Sequence, residues 1–215
     1  MKKLSKINEN IFDGIGRRSK GGVKRKEDEV EYVDLGLPSG TIWAACNLGA
    51  SSPEEYGNYY AWGETEQKDH YSWHNYKFGV QDKLNKYNKE DGKIILDPED
   101  DAAHVVLGGK WHMPTGKQII ELLDNTNSKD SKLNGVNGRL LTSKINGNTL
   151  FFPYSGNHSA ASFIGEDTWY SCWSSSITDY SHNYAVSIYS DIFENRFSSG
   201  DRYFGYSVRG VLDKK

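Results

Sequence analysis

The chain has 215 residues, a length that suits one ordinary domain plus a tail. No apolar run approaches the roughly 18 residues that a membrane-spanning helix needs, so the composition excludes membrane insertion. An aromatic content of 13% with six Trp argues against a disordered chain. A net charge of -3 disfavours a protein that coats nucleic acid, and we expect no nucleic-acid partner.

Charge is unevenly distributed along the chain. Residues 1–26 carry a net charge of +7, and residues 27–215 therefore carry -10. We interpret residues 1–30 as a basic N-terminal tail, either a solvated tail or a segment that anchors the chain to a larger assembly. Residues 31–212 form the predicted domain. No apolar central region of a signal peptide follows Met1, so we expect no such signal.

The first elements are predicted from turn and capping signals. A turn at residues 37–40 precedes an apolar strand at residues 41–47. Ser52 to Glu55 has Pro at the first helical position and acids in the first turn, which predicts a short helix. Residues 66–96 are polar and aromatic with weak periodicity, which suggests a long surface excursion.

Two stronger helices follow. In the first, Asp97 is the predicted cap, acids fill the first turn, and Gly108 ends the helix. In the second, Thr115 is the predicted cap. Its apolar residues recur at helical spacing and predict a buried stripe, namely Ile119, Ile120, Leu122 and Leu123.

The second half of the sequence is typical of β-structure. Asn146-Gly147 between two apolar runs predicts a tight hairpin. Four further short alternating runs end at Ser, Asp or Gly, from residue 168 to residue 212. Helices followed by an antiparallel sheet indicate an α+β fold.

Several motifs occur in the order of a known family: VDLGLPSGTIWAACNLGASSPEEYGNYYAWGET, LDPEDDAA, GGKWHMPT, NGVNGRLLTSKINGNTLFFP, CWSSS and GYSVRGV. Over residues 30–212 the chain resembles the Fibrobacter succinogenes major paralogous domain family. The resemblance implies an α+β, C-type lectin-like fold with two main helices packed on a twisted antiparallel sheet. The calcium signature of sugar-binding C-type lectins is absent, so calcium-dependent sugar binding is not implied.

The resemblance further implies a variable surface. Some proteins with the C-type lectin-like fold, many of them encoded by phages, are diversified by retroelements that rewrite a C-terminal segment at adenines. Here residues 168–206 contain nine Ser and six Tyr, and residues 151–212 contain no Lys. Adaptable binding surfaces are rich in Tyr and Ser and poor in Lys. A Ser- and Tyr-rich sheet surface without this genetic history is the alternative.

Strand alternation and the resemblance together select the ligand-binding candidates. Val186 and Ile188 are predicted to face the core, which leaves Ser187 and Tyr189 outward. Alternation would bury Phe204 and Tyr206, whereas the resemblance makes them variable. Four residues match fixed family motifs and are assigned to the scaffold: Trp173, Ser174, Ser175 and Arg209. The candidates are Tyr170, Ser171, Thr178, Asp179, Ser181, His182, Asn183, Ser187, Tyr189, Asn195, Phe197, Tyr203, Phe204 and Tyr206.

Catalytic and metal sites are not expected, nor is a cofactor. An enzyme of the formylglycine-generating type needs a reactive Cys pair in the C-terminal half, but only Cys172 lies there. Cys46 and Cys172 are expected to be free thiols rather than a disulfide. The histidine pair of HYSWH lacks the flanking pattern of a zinc site. Helix capping accounts for the acids of LDPEDDAA better than calcium does.

These observations favour a non-enzymatic protein that displays a diversified surface to a bacterial surface protein or glycan. The resemblance implies a phage or prophage gene, attachment to a virion or larger assembly through residues 1–26, and a location in the virion or in the cytoplasm of the producing cell. A fixed adhesin-like or structural domain of a gut bacterium is the main alternative. A formylglycine-generating type of enzyme is the third.

Overall fold

The computed structural model describes residues 30–214. Strands hold 42% of these residues and helices 11%. Apart from Val30, the predicted tail at residues 1–30 lies outside the described residues. The strands are β1 Tyr32–Val33, β2 Thr41–Ala44, β3 Tyr59–Tyr60, β4 Gly79–Val80, β5 Lys83–Leu84, β6 Thr126–Leu133, β7 Val136–Ser143, β8 Thr149–Pro153, β9 Ser155–Ser159, β10 Ser162–Glu166, β11 Trp169–Ile177, β12 Tyr184–Asp191, β13 Asn195–Asp201, β14 Tyr206–Ser207 and β15 Val211–Asp213. The helices are α1 Ala102–Leu107 and α2 Gly116–Asp124, and two 3-10 turns lie at Trp73–Asn75 and Pro98–Asp100.

The largest sheet has the order β10-β9-β11-β12-β13. At β11 this sheet divides, because β9 pairs in parallel at Tyr170 and β14 pairs in parallel at Cys172. β14 in turn pairs with β3 from the start of the chain. Smaller sheets are formed by β1-β2-β15, by β6-β7-β8 and by the β4-β5 pair.

Two apolar cores lie on opposite sides of β11. Successive residues of a strand face opposite ways, so Cys172 belongs to one core and Trp173 to the other. The first core packs α2 against β11 and β12 through Ile119, Leu122 and Ile188. The second core is rich in aromatic rings and receives much of the segment between residues 60 and 96. Because both faces of β11 are covered, this strand is buried along nearly all its length.

The predicted α+β class, with the two main helices of a C-type lectin-like fold packed on a sheet, is wrong. The structure is mostly β, and among the helices of residues 30–214 only α2 is longer than six residues. The acidic residues of the first predicted helix do not lie in one continuous helix. Pro98–Asp100 forms a 3-10 turn, and Asp101, rather than Asp97, caps the short helix α1 by accepting from the His104 N–H at 2.9 Å. The predicted helix at residues 52–55 is a turn.

The prediction of a surface excursion at residues 66–96 is correct for most of the segment, which is exposed, but wrong for most of its aromatic residues. Tyr71, Tyr76, Phe78 and Tyr87 in this segment are buried in the aromatic core. The segment has little regular structure, so its buried rings follow neither a helical nor a strand period. Sequence periodicity therefore could not detect their burial.

Sequence patterns were more reliable predictors where a specific cap or turn determines the backbone conformation. Thr115 and Gln118 form the reciprocal capping box of α2. β7 and β8 form the hairpin predicted at Asn146-Gly147, but their connection spans residues 144–148 instead of the predicted tight turn. The buried stripe of α2 is confirmed for Ile119 and Leu122, whereas Ile120 is 46% exposed.

Candidate functional site

A cleft of about 730 Å³ opens between residues 179–183, which follow β11, and residues 82–90. Its volume is in the range of small-ligand sites. Most of its side chains can donate or accept hydrogen bonds, which suits a polar ligand. The lining consists of Asp82, Lys83, Leu84, Asn88, Lys89, Glu90, Asp179, Tyr180, Ser181, His182 and Asn183.

Asp82 and Asn183 join the two walls of the cleft. The Asp82 backbone N–H donates to Asn183 Oδ1 at 3.0 Å, and Asn183 Nδ2 donates to Asp82 Oδ1 at 2.6 Å. Asp82 adopts a left-handed backbone conformation with φ of 61°, which Asp tolerates better than most residues. Asn183 is buried and its amide is engaged, so it acts as part of the cleft's frame.

The Arg202 side chain donates hydrogen bonds to backbone carbonyls in both walls of the cleft. One guanidinium nitrogen, Nη1, donates to the carbonyl of His182 at 3.1 Å and to that of Tyr87 at 3.2 Å. The other, Nη2, donates to the Lys86 carbonyl at 3.2 Å, and Nε donates to Tyr76 Oη at 2.8 Å. A single side chain thus fixes backbone on each side of the cleft.

The Arg202 charge is fully buried, and the hydrogen bonds of its guanidinium go to neutral oxygens. Its guanidinium carbon lies 4.6 Å from the centre of the Trp62 ring and 5.3 Å from that of Tyr76. Burial lowers the pKa of the guanidinium, but arginine remains charged in proteins. Carbonyl and ring contacts therefore stabilise this cation in place of water.

A chain of ion pairs fixes the outer wall of the cleft. Lys86 Nζ lies 2.7 Å from an Asp97 carboxylate oxygen and 2.6 Å from one of Asp100. Lys77 also pairs with Asp100 at 2.6 Å, and Lys93 pairs with Asp97. The segment before α1 is thereby tied to residues 77–93.

The acids of this network do not need a metal ion to balance them. Asp97, Glu99 and Asp100 lie close enough together to share an ion. However, three lysines already pair with Asp97 and Asp100, and Tyr87 Oη donates to Asp100 at 2.7 Å. The prediction that capping explains every acid here is wrong for Asp97 and Asp100, which bind lysine side chains instead. His70 and His74 are exposed, as expected of surface histidines.

The Asp97 ion pairs predict an acid-sensitive contribution to stability. Hydrogen bonds from Lys86 and Lys93 lower the Asp97 pKa to about 2, below its ordinary value of about 3.9. This contribution is complete above the unfolded-state pKa and is lost as the pH falls from about 4 towards 2. We expect Asp97→Asn to lower the urea midpoint at pH 7, and we expect the difference from the unmodified chain to shrink as the pH falls from about 4 towards 2.

Glu99→Gln is the matched control for this measurement. The Glu99 side chain is 70% exposed and lies 3.5 Å from Lys86, so its ion pair is weak. Urea midpoints of the three proteins should be compared at pH 7, 4 and 2.5. A constant difference between Asp97→Asn and the unmodified chain over that range would contradict the prediction.

The structure separates the predicted ligand-binding residues into three groups. The first group lies at the cleft: Asp179, Ser181, His182 and Asn183 line it, and Thr178 lies beside it. Asp179 is exposed, and Ser181 and His182 are half-buried. Thr178 is buried, and its hydroxyl donates to the Ser181 carbonyl at 2.7 Å, so it shapes the loop.

The second group follows the face of β11, β12 and β13 on the side of the aromatic core: Ser171, Ser187, Tyr189, Tyr203, Phe204 and Tyr206. The outward placement of Ser187 is wrong, because this side chain is 1% exposed. Tyr206 is also buried, and its ring stacks on Trp173 with centroids 4.1 Å apart. Strand parity thus correctly predicted its burial. Tyr189, Tyr203 and Phe204 are half-buried.

The third group lies on the opposite face, beside α2. Tyr170 and Asn195 belong here, joined by a hydrogen bond of 3.0 Å from Tyr170 Oη to Asn195 Oδ1. Tyr170 is 1% exposed and stacks on Phe152, so it is a core residue. Phe197 is 43% exposed at the edge of this face. The predicted set therefore does not form a single surface.

The sequence analysis did not select two exposed aromatic residues as ligand-binding candidates. Tyr180 and Phe193 are 68% and 85% exposed, and neither was selected. The signal for Phe193 was present, since Asp191 and Glu194 frame a short turn between two alternating runs. The other cleft wall, at residues 82–90, gave no signal because it lies far away in sequence.

The expected scaffold and thiol assignments can be checked directly. Trp173, Ser174, Ser175 and Arg209 are buried, as predicted. Cys46 and Cys172 are free thiols. Burial raises the pKa of the Cys172 thiol to about 12, which disfavours the thiolate that a reactive cysteine needs.

Within residues 30–214 the structure contains no helix with the length and apolar character of a membrane span. Comparison of the chain with protein-family models, with curated proteins and with solved structures gives no match.

Proposed function

We propose that this chain is a non-enzymatic binding protein whose loops within residues 168–206 form a recognition surface for a bacterial surface ligand. The gene would belong to a phage or prophage, and a retroelement would diversify the exposed positions of this segment. Residues 1–26 would attach the protein to a virion or larger assembly. The ligand would be a surface protein or a glycan.

The observation that carries the proposal is the distribution of exposed aromatic side chains. Among residues 30–214 four aromatic side chains are exposed, and three of them lie in residues 168–206: Tyr180, Phe193 and Phe197. Aromatic side chains are enriched in protein recognition sites relative to the rest of the surface.

The backbone that presents these rings is well fixed. The Asp191 carboxylate accepts from the N–H groups of Phe193 and Glu194 at 2.8 and 3.0 Å. Tyr180 Oη shares a hydrogen bond of 2.7 Å with Ser199 Oγ. Side chains on a fixed backbone lose little entropy on binding, and they can be exchanged without repacking the core.

A paired substitution tests the surface. We expect Tyr180→Ala with Phe193→Ala to weaken binding to intact cells of the target bacterium by at least about tenfold, because aromatic anchors dominate recognition. Cell binding of the labelled full chain would be measured across a panel of strains. Val105→Ala with Ile145→Ala is the matched control, since both side chains are exposed apolar groups outside the segment. Equal losses in both double variants would contradict the proposal.

Population sequencing of the gene tests the diversification. We expect codons for exposed residues such as Asp179, Tyr180 and Phe193 to vary at adenines copied from a nearby near-repeat. Codons for Arg202 and Trp173 should stay uniform because the fold needs these side chains. Uniform codons throughout, with no near-repeat, would leave a fixed adhesin-like domain as the explanation of the same surface.

A further inference from the structure

β13 forms one edge of the largest sheet, and no described strand pairs with its outer side. The direction of its backbone groups follows from its pairing with β12. The Arg202 N–H donates to the Asn183 carbonyl at 3.0 Å, and the Asp191 N–H donates to the Glu194 carbonyl at 3.1 Å. Both bonds continue the register that pairs Tyr184 with Asp201.

Antiparallel pairing alternates between residues that bond to the neighbour and residues that bond outward. Arg202 and Glu194 bond to the β12 side, so the even-numbered residues between them do the same. Asn195, Phe197 and Ser199 therefore direct their N–H and C=O groups to the open edge. These are strong hydrogen-bonding groups, and within the described residues no backbone partner takes them.

The side chains in the middle of this edge, at residues 197–200, do not protect it. Natural edge strands commonly carry charges, proline or a bulge that prevents pairing with another chain. β6, the outer strand of a smaller sheet, follows that rule with exposed Lys129, Asp130 and Lys132. In β13, by contrast, the four residues between Arg196 and Asp201 are uncharged.

We propose that two copies of the chain associate by antiparallel pairing of their β13 strands around a two-fold axis at Phe197. In this register Phe197 lies opposite Phe197 of the other copy, and Asn195 lies opposite Ser199. All three outward residues then gain hydrogen-bonded partners. The proposal does not depend on the proposed function.

The same register is compatible with the side chains. Arg196 lies opposite Ser198, and Glu194 lies opposite Gly200, so no like charges are directly opposed. Arg196 is also engaged in its own copy, by Glu194 at 3.0 Å and by the Tyr189 ring at 4.9 Å. The two half-exposed Phe197 rings cover each other, and aromatic cross-strand pairs stabilise sheets. A two-fold pairing uses the same surface on both copies.

Sedimentation velocity of the full chain over a concentration series tests this dimer. We expect a reversible monomer–dimer equilibrium. Ser199→Pro should weaken it by more than about tenfold, because proline removes an N–H that points outward while leaving the bonds to β12 intact. Ser199→Ala is the matched control, since it removes the same hydroxyl but keeps the outward N–H, and its dimerisation should be unchanged.

A second variant keeps the test decisive if Ser199→Pro folds poorly. Phe197→Lys retains every backbone group but places two positive charges opposite each other, so it should also produce a monomer. Circular dichroism would establish that each variant keeps the sheet. The proposal is overturned if the unmodified chain is monomeric over the whole series, or if a dimer persists unchanged in both folded variants.

Discussion

Replacement of Arg202 by Met should lower the free energy of unfolding by about 3–5 kcal/mol, because it leaves several buried oxygens without a donor. Met fills much of the space of the arginine stem, so the main loss is electrostatic rather than steric. The carbonyl groups of Lys86, Tyr87 and His182 would each lose a buried donor. An unsatisfied buried polar group costs about 1–3 kcal/mol, which makes several such losses large against the total stability of a domain.

Urea denaturation followed by tryptophan fluorescence would measure the Arg202 effect, with Arg196→Met as the control. Arg196 is exposed on the neighbouring strand, and its substitution should change stability by no more than about 0.5 kcal/mol. We also expect Arg202→Met to increase hydrogen exchange at residues 82–90 and 179–183 more than elsewhere, because this side chain joins the two segments. Equal stability of the two variants would show that the buried guanidinium contributes little to the fold.

Tyr206→Ala should cost about 3–5 kcal/mol, whereas Tyr189→Ala should cost about 1 kcal/mol or less. The Tyr206 ring is buried between Trp173 and Phe204, with centroid distances of 4.1 and 5.8 Å. Tyr189 is half-buried, and its contacts are an arginine side chain and a hydrogen bond of 3.2 Å to Asp191. The same truncation therefore removes core packing at one position and surface contacts at the other.

The two tyrosine variants also distinguish scaffold from recognition surface. If Tyr206 were an exchangeable ligand contact, its truncation would reduce cell binding and leave the thermal midpoint nearly unchanged. We instead expect Tyr206→Ala to lower the thermal midpoint strongly and Tyr189→Ala to lower it little. Thermal unfolding by calorimetry, combined with the cell-binding assay, would report both properties for each variant.

Local chemistry made parts of this structure predictable from sequence. The Thr115 capping box and the hairpin at Asn146-Gly147 each depend on a few neighbouring residues, so their patterns were sufficient. Strand parity was sufficient for Val186 and Ile188, which are buried as expected. Parity also favoured a buried Tyr206, and the family resemblance led the prediction away from it.

The remaining features depend on contacts between distant segments. Ser187 is buried although it is polar and its strand alternates, because both faces of the sheet around β11 and β12 are covered. The cleft joins residues 82–90 to residues 179–183, and Arg202 completes it from a third segment. The two-helix architecture failed for a related reason: the acids near residue 100 bind distant lysines instead of extending one helix.

The pairing of early strands with late ones constrains how the chain can acquire its structure during synthesis. β2 pairs with β15 as well as with the adjacent β1, and β3 pairs with β14, so each of these early strands lacks a partner on at least one side until the last part of the domain has been made. Arg209 strengthens this dependence, because it donates to the carbonyls of Ala45 and Phe151. Such long-range pairing is slow to form and leaves strand edges exposed meanwhile. The nascent N-terminal half should therefore need protection from aggregation until the C-terminal strands of the domain have been made.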